Sequence, residues 1–554
     1  MTNTLTPELV LAIARTYFKM GSLHKEIILD GIEAKDKKVL IRLVSSSLEP
    51  DAFPIEFEDE LSSELRDDGL QIVFSRSKVS EKNFKRAAFR WELALNERLG
   101  YGVSRGASEQ ATISDLFDLA ASMRTSDVHF MPRYDSNHQC KEGVIQFRID
   151  GVLQSIASFP VEHYRQLCSW VKRKSGADLG LAVTEGSFRL DEVPGITCRV
   201  ASMKTSKGVE DLSSVCVRLL REDTVQLSLG MLNYLPDDVS VVKELLRRRS
   251  GVIVICGETG AGKTTTMGSM VSELIQTYNC GKKVVTLEDP IEFTIPGAVQ
   301  FEISKPGEGN GLTYVVALEN ILRQDPDVIV VGEIRNADTA KYVVTAAQTG
   351  HLLITTMHSE DTISALTRLA GWGIDGPSLN NTLLGVISQF LIRRNCPACL
   401  ESSTLSEKNA RLLFPESGDM AGDEPANYER AIKFLSNLVV GRSTGVKNGR
   451  VCEQCEGLRF FGRVPIVEVY SHNQEHSRIV AEICKGNSEG PQHLRALFQH
   501  GHYAPFALNA LRHVLHRTTS PEEVIDQLPR PYFVNHSALL RRYGYTIVEK
   551  KKKN

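Results

Sequence analysis

The chain contains no run of about 18 apolar residues, so no stretch is long enough to cross a bilayer as a helix. It opens Met1-Thr2-Asn3-Thr4-Leu5-Thr6, without the basic segment and apolar core of an export signal. These absences predict an intracellular protein whose 11 cysteines are reduced thiols or metal ligands, not a disulfide framework. Charge of one sign is not in excess: the formal net charge is −3. No global field therefore draws the chain to nucleic acid or acidic lipid, and any such contact is local. A basic stretch interleaved with aromatics, as a single-strand channel needs, is also missing. The lysines at 550–553 read as a frayed basic end. At 554 residues, 42% of them hydrophobic, the chain has room for about three to five domains with ordinary cores.

What is present centres on Gly257-Glu258-Thr259-Gly260-Ala261-Gly262-Lys263-Thr264. Gly251 to Cys256 ahead of it has the length and β-branching of a buried strand, and Thr265 to Ile275 behind it reads as a helix. Strand, glycine-rich loop and helix in that order predict a phosphate-binding loop. The glycines let backbone N–H groups close on phosphates, and the helix N-terminus adds the positive end of its dipole. Gly257, Thr259, Gly260, Gly262, Lys263, Thr264 and Thr265 form the expected nucleotide-binding set. Lys263 would reach the β- and γ-phosphates of ATP, and the Thr264 hydroxyl would hold Mg²⁺.

Strand-like runs recur at Lys283–Leu287, Val328–Val331 and Leu352–Thr356, with helical segments between them. This alternation predicts an α/β fold with a mostly parallel sheet covered on both faces. Ligands then sit beyond the carboxyl ends of the strands. Two acids stand at such ends: Glu288, in Glu288-Asp289-Pro290-Ile291-Glu292, suits the activation of water, and Glu333 suits a Mg²⁺ shell. His351 and His358 flank one core strand and are candidates for sensing the γ-phosphate or bridging to a neighbour. Further on, Cys396-Pro397-Ala398-Cys399 and Cys452-Glu453-Gln454-Cys455 make two CxxC pairs. Four thiolates predict a closed, structural Zn²⁺ site that pins the ends of the long insertion between them.

Residues 1–105 show no catalytic constellation and read as a small adaptor domain. Pro7–Met20 and Glu58–Asp68 look helical, and Lys38–Val44 is strand or helix. From Ala107 the pattern is α+β, with a helix over Ile113–Met123 capped by Ser114, a tight turn at Asp150-Gly151, and a basic amphipathic helix over Tyr164–Lys174. Arginines recur inside strand-like runs, at Arg189, Arg199 and Arg218; such residues are exposed-face side chains, or they point at a nucleotide in a neighbouring subunit. Near the end, Ser520-Pro521 with Glu523 three residues on has the form of a capped helix start.

Together these boxes resemble the hexameric secretion ATPases that power type II secretion and type IV pilus assembly. The phosphate loop keeps Thr264-Thr265-Thr266 but has Glu258 and Ala261 where that family has proline and serine. The acidic box, the segment from Leu322 through Gly332-Glu333-Ile334-Arg335, and the histidine box follow in family order, with Asn336 in place of an aspartate. Ser126-Asp127-Val128-His129 and Arg148-Ile149-Asp150-Gly151 are similar to the family's mobile PAS-like domain. The tetracysteine element, with Gly462-Arg463 and Glu468 after it, is similar to the assembly branch.

Beside the adaptor read at 1–105, the resemblance implies a PAS-like domain at 106–236 and a RecA-like P-loop NTPase core at 237–392. A tetracysteine zinc element at 393–470 and a helical C-terminal region at 471–554 follow. It further implies arginine fingers at Arg199 and Arg218, with Arg189 as a third candidate. The cofactors would be ATP, Mg²⁺ and Zn²⁺. The chain would work as a homo-hexamer, cytoplasmic but peripheral to the inner membrane, on a platform protein there and alongside other assembly components. A nucleic-acid motor or DNA-transfer ATPase is the alternative, against which the charge balance speaks. A nucleotide-gated scaffold without turnover is the third reading, against which Glu288 and Glu333 speak.

Overall fold

The structure, a computed structural model, describes residues 28–35, 38–45, 71–78 and 109–527. Positions 138, 179–180, 191–194, 206–211, 222–227, 304–311, 414–424, 448–449, 453, 456 and 499–505 within the last range are excepted. The helices expected at 7–20 and 58–68 and the tail at 549–554 lie outside the described residues. The chain divides into two units, Met1–Arg221 and Glu222–Asn554.

In the first unit, β1 (Ile28–Lys35), β2 (Lys38–Ser45) and β3 (Gln71–Lys78) form a sheet, antiparallel between β1 and β2 and parallel between β2 and β3. Lys38–Val44 is thus a strand, as its β-branched content favours. A second sheet holds β4 (Thr125–Tyr134), β5 (Cys140–Ile149), β6 (Val152–Pro160), β7 (Val183–Arg189), β8 (Ile196–Lys204) and β9 (Ser213–Arg221). It is antiparallel throughout, in the order β6-β5-β4-β9-β8-β7. Alternate strand residues such as Val128, Phe147, Val200 and Val217 pack on the helices Glu109–Ser122 and Val161–Lys174. Most of the intervening positions are half-buried or exposed, Arg199 and Arg218 among the exposed ones. The first helix begins at Glu109, so Ser114 is an interior residue and not its cap. The strong helix formers Glu109, Gln110 and Ala111 add a turn ahead of the apolar stripe. Asp150 and Gly151 take φ of 49° and 90°, the left-handed pair that a two-residue hairpin between β5 and β6 requires.

The second unit is built on β10 (Gly251–Cys256), β11 (Val284–Glu288), β12 (Ala298–Glu302), β13 (Val328–Val331), β14 (Leu352–Met357) and β15 (Leu383–Asn395). After β15 come the short strands β16 (Leu400–Thr404), β17 (Val439–Ser443), β18 (Val446–Lys447) and β19 (Arg450–Val451), and then β20 (Phe460–Ser471). The main sheet runs β12-β11-β13-β14-β10-β15-β20, parallel except for the last pair. Its strands are apolar on both faces because both are covered. Ile253, Ile255, Val330 and Ile354 pack under the helix Lys263–Thr277, while Val254, Ile329, Val331 and Leu353 pack under Ala337–Gln348 and Thr362–Gly371.

The sheet does not stop at residue 392, where the core was expected to end. β15 continues to Asn395 and pairs with β20, from Gly385↔Ser471 to Asn395↔Phe460, so the last strand comes from beyond the tetracysteine element. The far end of this pair carries a second core. Ile392, Val464 and Ile466 meet Leu413, Tyr428, Ile432 and Leu435 from the insertion, and Phe506, Leu511, Val514 and Val524 from the C-terminal helices. Ser520 does cap the helix Pro521–Gln527, its Oγ accepting from Glu523 N at 3.2 Å. The Glu523 carboxylate, however, turns to Arg393, accepting from its backbone N at 3.0 Å and its Nε at 2.9 Å. The remaining helices Gln474–Cys484 and Gly490–Phe498 return to the main sheet through Val480, Ile483 and Leu494.

Candidate functional site

β10 ends in the loop 257–262, and the 15-residue helix Lys263–Thr277 starts directly after it. Gly260 and Gly262 sit at φ of 80° and 83°, in the left-handed region that favours glycine. A side chain at Gly257 is excluded for another reason: its Cβ would lie 2.3 Å from the backbone oxygen of Gln389 on β15. No side chain caps the helix, so its first N–H groups are left for the contents of the loop. Thr264 and Thr265 stand half-buried on the first turn. Lys263 Nζ donates to the loop's own carbonyls, Gly257 O at 2.8 Å and Glu258 O at 2.9 Å. Burial lowers its pKa, and the nearby Glu333 carboxylate opposes that shift.

A line of polar and charged side chains runs from this lysine across the carboxyl edge of the sheet. His358 Nδ1 is 3.5 Å from Lys263 Nζ, and His358 Nε2 is 3.4 Å from Glu333 Oε2. Glu333 Oε1 accepts from Arg335 Nε, and Arg335 Nη1 reaches Asp289 Oδ2 at 3.3 Å. Burial and the Lys263 charge hold the His358 pKa below its ordinary value, so the ring is neutral near pH 7. A neutral ring protonated on Nε2 satisfies both neighbours, accepting from the lysine and donating to the glutamate. One strand over, Glu288 is 3% exposed, and its Oε1 accepts from Thr286 Oγ1 at 2.7 Å and Gln300 Nε2 at 3.0 Å. Burial raises its pKa, as a carboxylate that accepts a proton from water requires. Gly332 N donates to Leu287 O at 2.7 Å, tying together the strand ends that carry the two glutamates.

The structure brings His358, and not His351, to the loop. His351 precedes β14, and the strand's six residues separate it from His358 by about 20 Å at 3.3 Å per residue. Its Nδ1 lies 3.0 Å from Ala346 O and 3.1 Å from Thr349 Oγ1. Arg199 and Arg218 face each other across β8 and β9 in the first unit, both exposed, and Arg218 Nε donates to Asp127 Oδ1 at 2.9 Å. Arg189 is exposed on the edge strand β7. Asn336 caps the helix Ala337–Gln348, accepting from Thr339 N at 2.9 Å, so an amide serves where an aspartate is usual. Gln389 and Tyr234, which contact the loop or its helix, escaped the sequence reading. The one signal for Gln389 was a polar residue inside the apolar run of β15.

Cys396, Cys399, Cys452 and Cys455 are buried together, their sulfurs all within 4.8 Å of one another. Cys396 Sγ lies 3.8 Å from Cys452 Sγ, and Cys399 Sγ lies 3.7 Å from Cys455 Sγ. None of the 11 cysteines is in a disulfide.

A strand, a glycine loop with a buried lysine, and acids at the ends of neighbouring strands define a P-loop nucleotide-binding protein. Residues 107–525 match the family described as Type II/IV secretion system protein, and the chain belongs to that family. It is 33% identical over 298 residues to Type II secretion system protein HxcR of Pseudomonas aeruginosa, covering 53% of this chain and 60% of that protein. It is 31% identical over 375 residues to Type IV pilus assembly ATPase PilB of Acinetobacter baylyi, covering 67% of this chain and 58% of that one. The chain thus spans less than two thirds of the length of these relatives. Among solved structures, the ATPase DotB of Yersinia pseudotuberculosis shares the fold, with a TM-score of 0.52 at 16% identity, covering 76% of this chain and 94% of DotB.

Proposed function

We propose that the protein hydrolyses ATP and converts the cycle into movement that assembles a type IV pilus or a type II secretion pseudopilus. The observation that carries this reading is the connected line Lys263–His358–Glu333–Arg335–Asp289 at the mouth of the loop. A merely nucleotide-binding scaffold has no need of it. The names of relatives such as HxcR and PilB supply the destination of the work. In this reading the loop N–H groups and the helix N-terminus hold the phosphates of ATP. Lys263 exchanges the carbonyls of Gly257 and Glu258 for phosphate oxygens. Thr264 and Glu333 would hold Mg²⁺, which when bound neutralises charge on the phosphates. Glu288 orients the attacking water and takes its proton, the role its raised pKa suits. As Lys263 turns to the γ-phosphate it leaves His358, and the change passes along Glu333 and Arg335 to the end of β11.

Arg199 and Arg218 act as fingers on the site of a neighbouring subunit in a homo-hexameric ring, with Arg189 as the reserve candidate. The six-stranded sheet with its two helices corresponds to the mobile PAS-like domain, and the seven-stranded sheet to the RecA-like core. The ring docks on an inner-membrane platform protein; no helix among the described residues is long and apolar enough to cross the membrane itself. Cys396, Cys399, Cys452 and Cys455 would hold Zn²⁺. A tetrahedron with Zn–S bonds of about 2.3 Å has edges of about 3.8 Å, which the sulfur separations of 3.7 and 3.8 Å match. Four thiolates leave no open position, so the ion is structural.

Phosphate release from the purified full chain tests the core of this reading. The wild type should turn over ATP, and Lys263→Ala should abolish turnover, together with pilus or secretion output in cells, while the zinc content stays unchanged. Turnover that survives Lys263→Ala refutes the site. Steep stimulation by single-stranded DNA would redirect the output to a nucleic-acid motor.

A further inference from the structure

The phosphate loop is held from behind by a buried polar strut that none of its motifs contains. Gln389, 1% exposed on β15, donates from Nε2 to Ala261 O at 2.7 Å, inside the loop. Its Oε1 accepts two hydrogen bonds, from Tyr234 OH at 2.7 Å and from Thr266 Oγ1 on the loop helix at 2.9 Å. Tyr234 and Thr266 are themselves 6% and 2% exposed. Glycines face the same residue: Cβ atoms at Gly257 and Gly262 would lie 2.3 Å from Gln389 O and 3.3 Å from Gln389 Nε2. One side-chain amide therefore ties the loop, at Ala261, to the first turn of its helix, at Thr266. Its donor is used once and its acceptor twice, so removing it strands the Ala261 carbonyl and leaves the Tyr234 and Thr266 hydroxyls only their mutual contact at 3.3 Å.

Tyr234 gives the strut its second end. It lies in the stretch that opens the second unit, between the short 3₁₀ turn Leu229–Leu232 and the helix Pro236–Leu246. That stretch follows directly on the segment leading out of the first unit. Its neighbours Leu229 and Leu232 are packed into the same core face as Met267 and Met270 of the loop helix. The tyrosine ring is thus fixed by packing, and its hydroxyl has one strong acceptor, the Gln389 side chain.

Resting on the ATP-binding reading above, we infer that Gln389 is a positioning residue that holds the phosphate loop open for nucleotide, and that Tyr234 ties this posture to the segment joining the two units. Gln389 touches no phosphate and performs no chemistry. It fixes the direction of the Ala261 carbonyl and, with it, the Gly262 N–H on the same peptide, while the Ala261 N–H donates to Glu258 O at 3.2 Å. When phosphates pull the Gly262 N–H inward, the Ala261 carbonyl moves with it, and the Gln389 amide transmits the shift to the Tyr234 hydroxyl.

The test uses the full-length protein and Mg²⁺·ADP as the probe, measured by titration calorimetry, with hydrogen exchange followed on residues 229–236. Gln389→Met, which keeps the volume and removes both polar functions, should weaken ADP binding about tenfold. Tyr234→Phe keeps the ring and removes one hydroxyl, and should weaken it about threefold. The double variant should bind no worse than Gln389→Met alone, because both remove the same strut. ADP should slow exchange at 229–236 in the wild type and leave it unchanged in Gln389→Met. Equal ADP affinity in Gln389→Met and wild type, strictly multiplicative losses in the double variant, or undiminished ADP protection of 229–236 in Gln389→Met would each overturn the inference. Should Gln389→Met fail to fold, the affinity of Tyr234→Phe decides: no loss overturns the inference and a threefold loss supports it. A wild type that binds no nucleotide refutes the ATP-binding reading instead, so the two failures are distinguishable.

Discussion

Acidification from about pH 7.5 to 5 should loosen the C-terminal core, and His513 makes a calculable part of that effect. The residue lies in the helix Phe506–Leu515 and is 1% exposed, with neither ring nitrogen hydrogen-bonded. Burial, with the positive charges of His516 and Arg512 added, holds its pKa down at about 4, against 6.5 for a free imidazole. The folded protein thus keeps the ring neutral in a window where the unfolded chain protonates it. Between pH 6.5 and about 4 the unfolded state binds more protons, so stability rises with pH there. The contribution is complete above 6.5 and is lost as pH falls. At 1.36 kcal/mol per pH unit, the loss is about 2 kcal/mol by pH 5 and about 3 kcal/mol by pH 4. Hydrogen exchange of this helix, corrected for intrinsic rates, reads it locally. The wild type should open about 30-fold more often at pH 5 than at pH 7.5. His513→Leu, which suits the surrounding apolar core, should show little of that increase. His472, also lowered to about 4 by burial and by His476, adds its own acid sensitivity at the end of β20, which is why a local readout is needed. An equal pH slope in wild type and His513→Leu would refute the reasoning.

Two further outcomes follow from the site. Chelation of the proposed zinc, or Cys399→Ser, should free the segments that carry the four cysteines while the helices Glu407–Leu413 and Pro425–Ser436 stay protected, because they share a core with Phe506 and Leu511. Limited proteolysis checks this, and cleavage throughout the insertion on metal removal would contradict it. Arg199→Ala should cut turnover by about 10²-fold or more while leaving nucleotide affinity within about twofold, as a finger acting on a neighbour's site requires. Parallel measurement of phosphate release and ADP binding separates the two, and equal losses in both would sink the finger role.

Much of the candidate site was legible because its motifs are local. A glycine loop between a strand and a helix, acids just after apolar runs, and paired CxxC turns each depend on a few consecutive residues. The two histidines show where such reading ends. His351 and His358 are equivalent as flanks of one strand, yet the extended chain between them puts them at opposite edges of the sheet, and only the edge with the loop carries Lys263 and Glu333. Ser114 misled for a related reason, since a capping residue at a helix start looks the same one turn inside it. Glu523 follows Ser520 at the spacing of a capped helix start, yet its partner Arg393 stands 130 residues away.

The sequence by itself determined the chemistry available: a phosphate loop, two carboxylates on neighbouring strand ends, a four-thiolate cluster, and the family to which these belong. Backbone requirements and ligand spacing are short-range, so one stretch of chain suffices to specify each. Tertiary structure alone decided which distant residues complete them. Strand order put β15 beside β10, and so set Gln389, 128 residues from Ala261, against the loop. The return of β20 made the tetracysteine insertion part of a second core instead of a tethered flap. Such contacts arise from the packing of buried side chains across large separations in the chain, and no local pattern of residues encodes them.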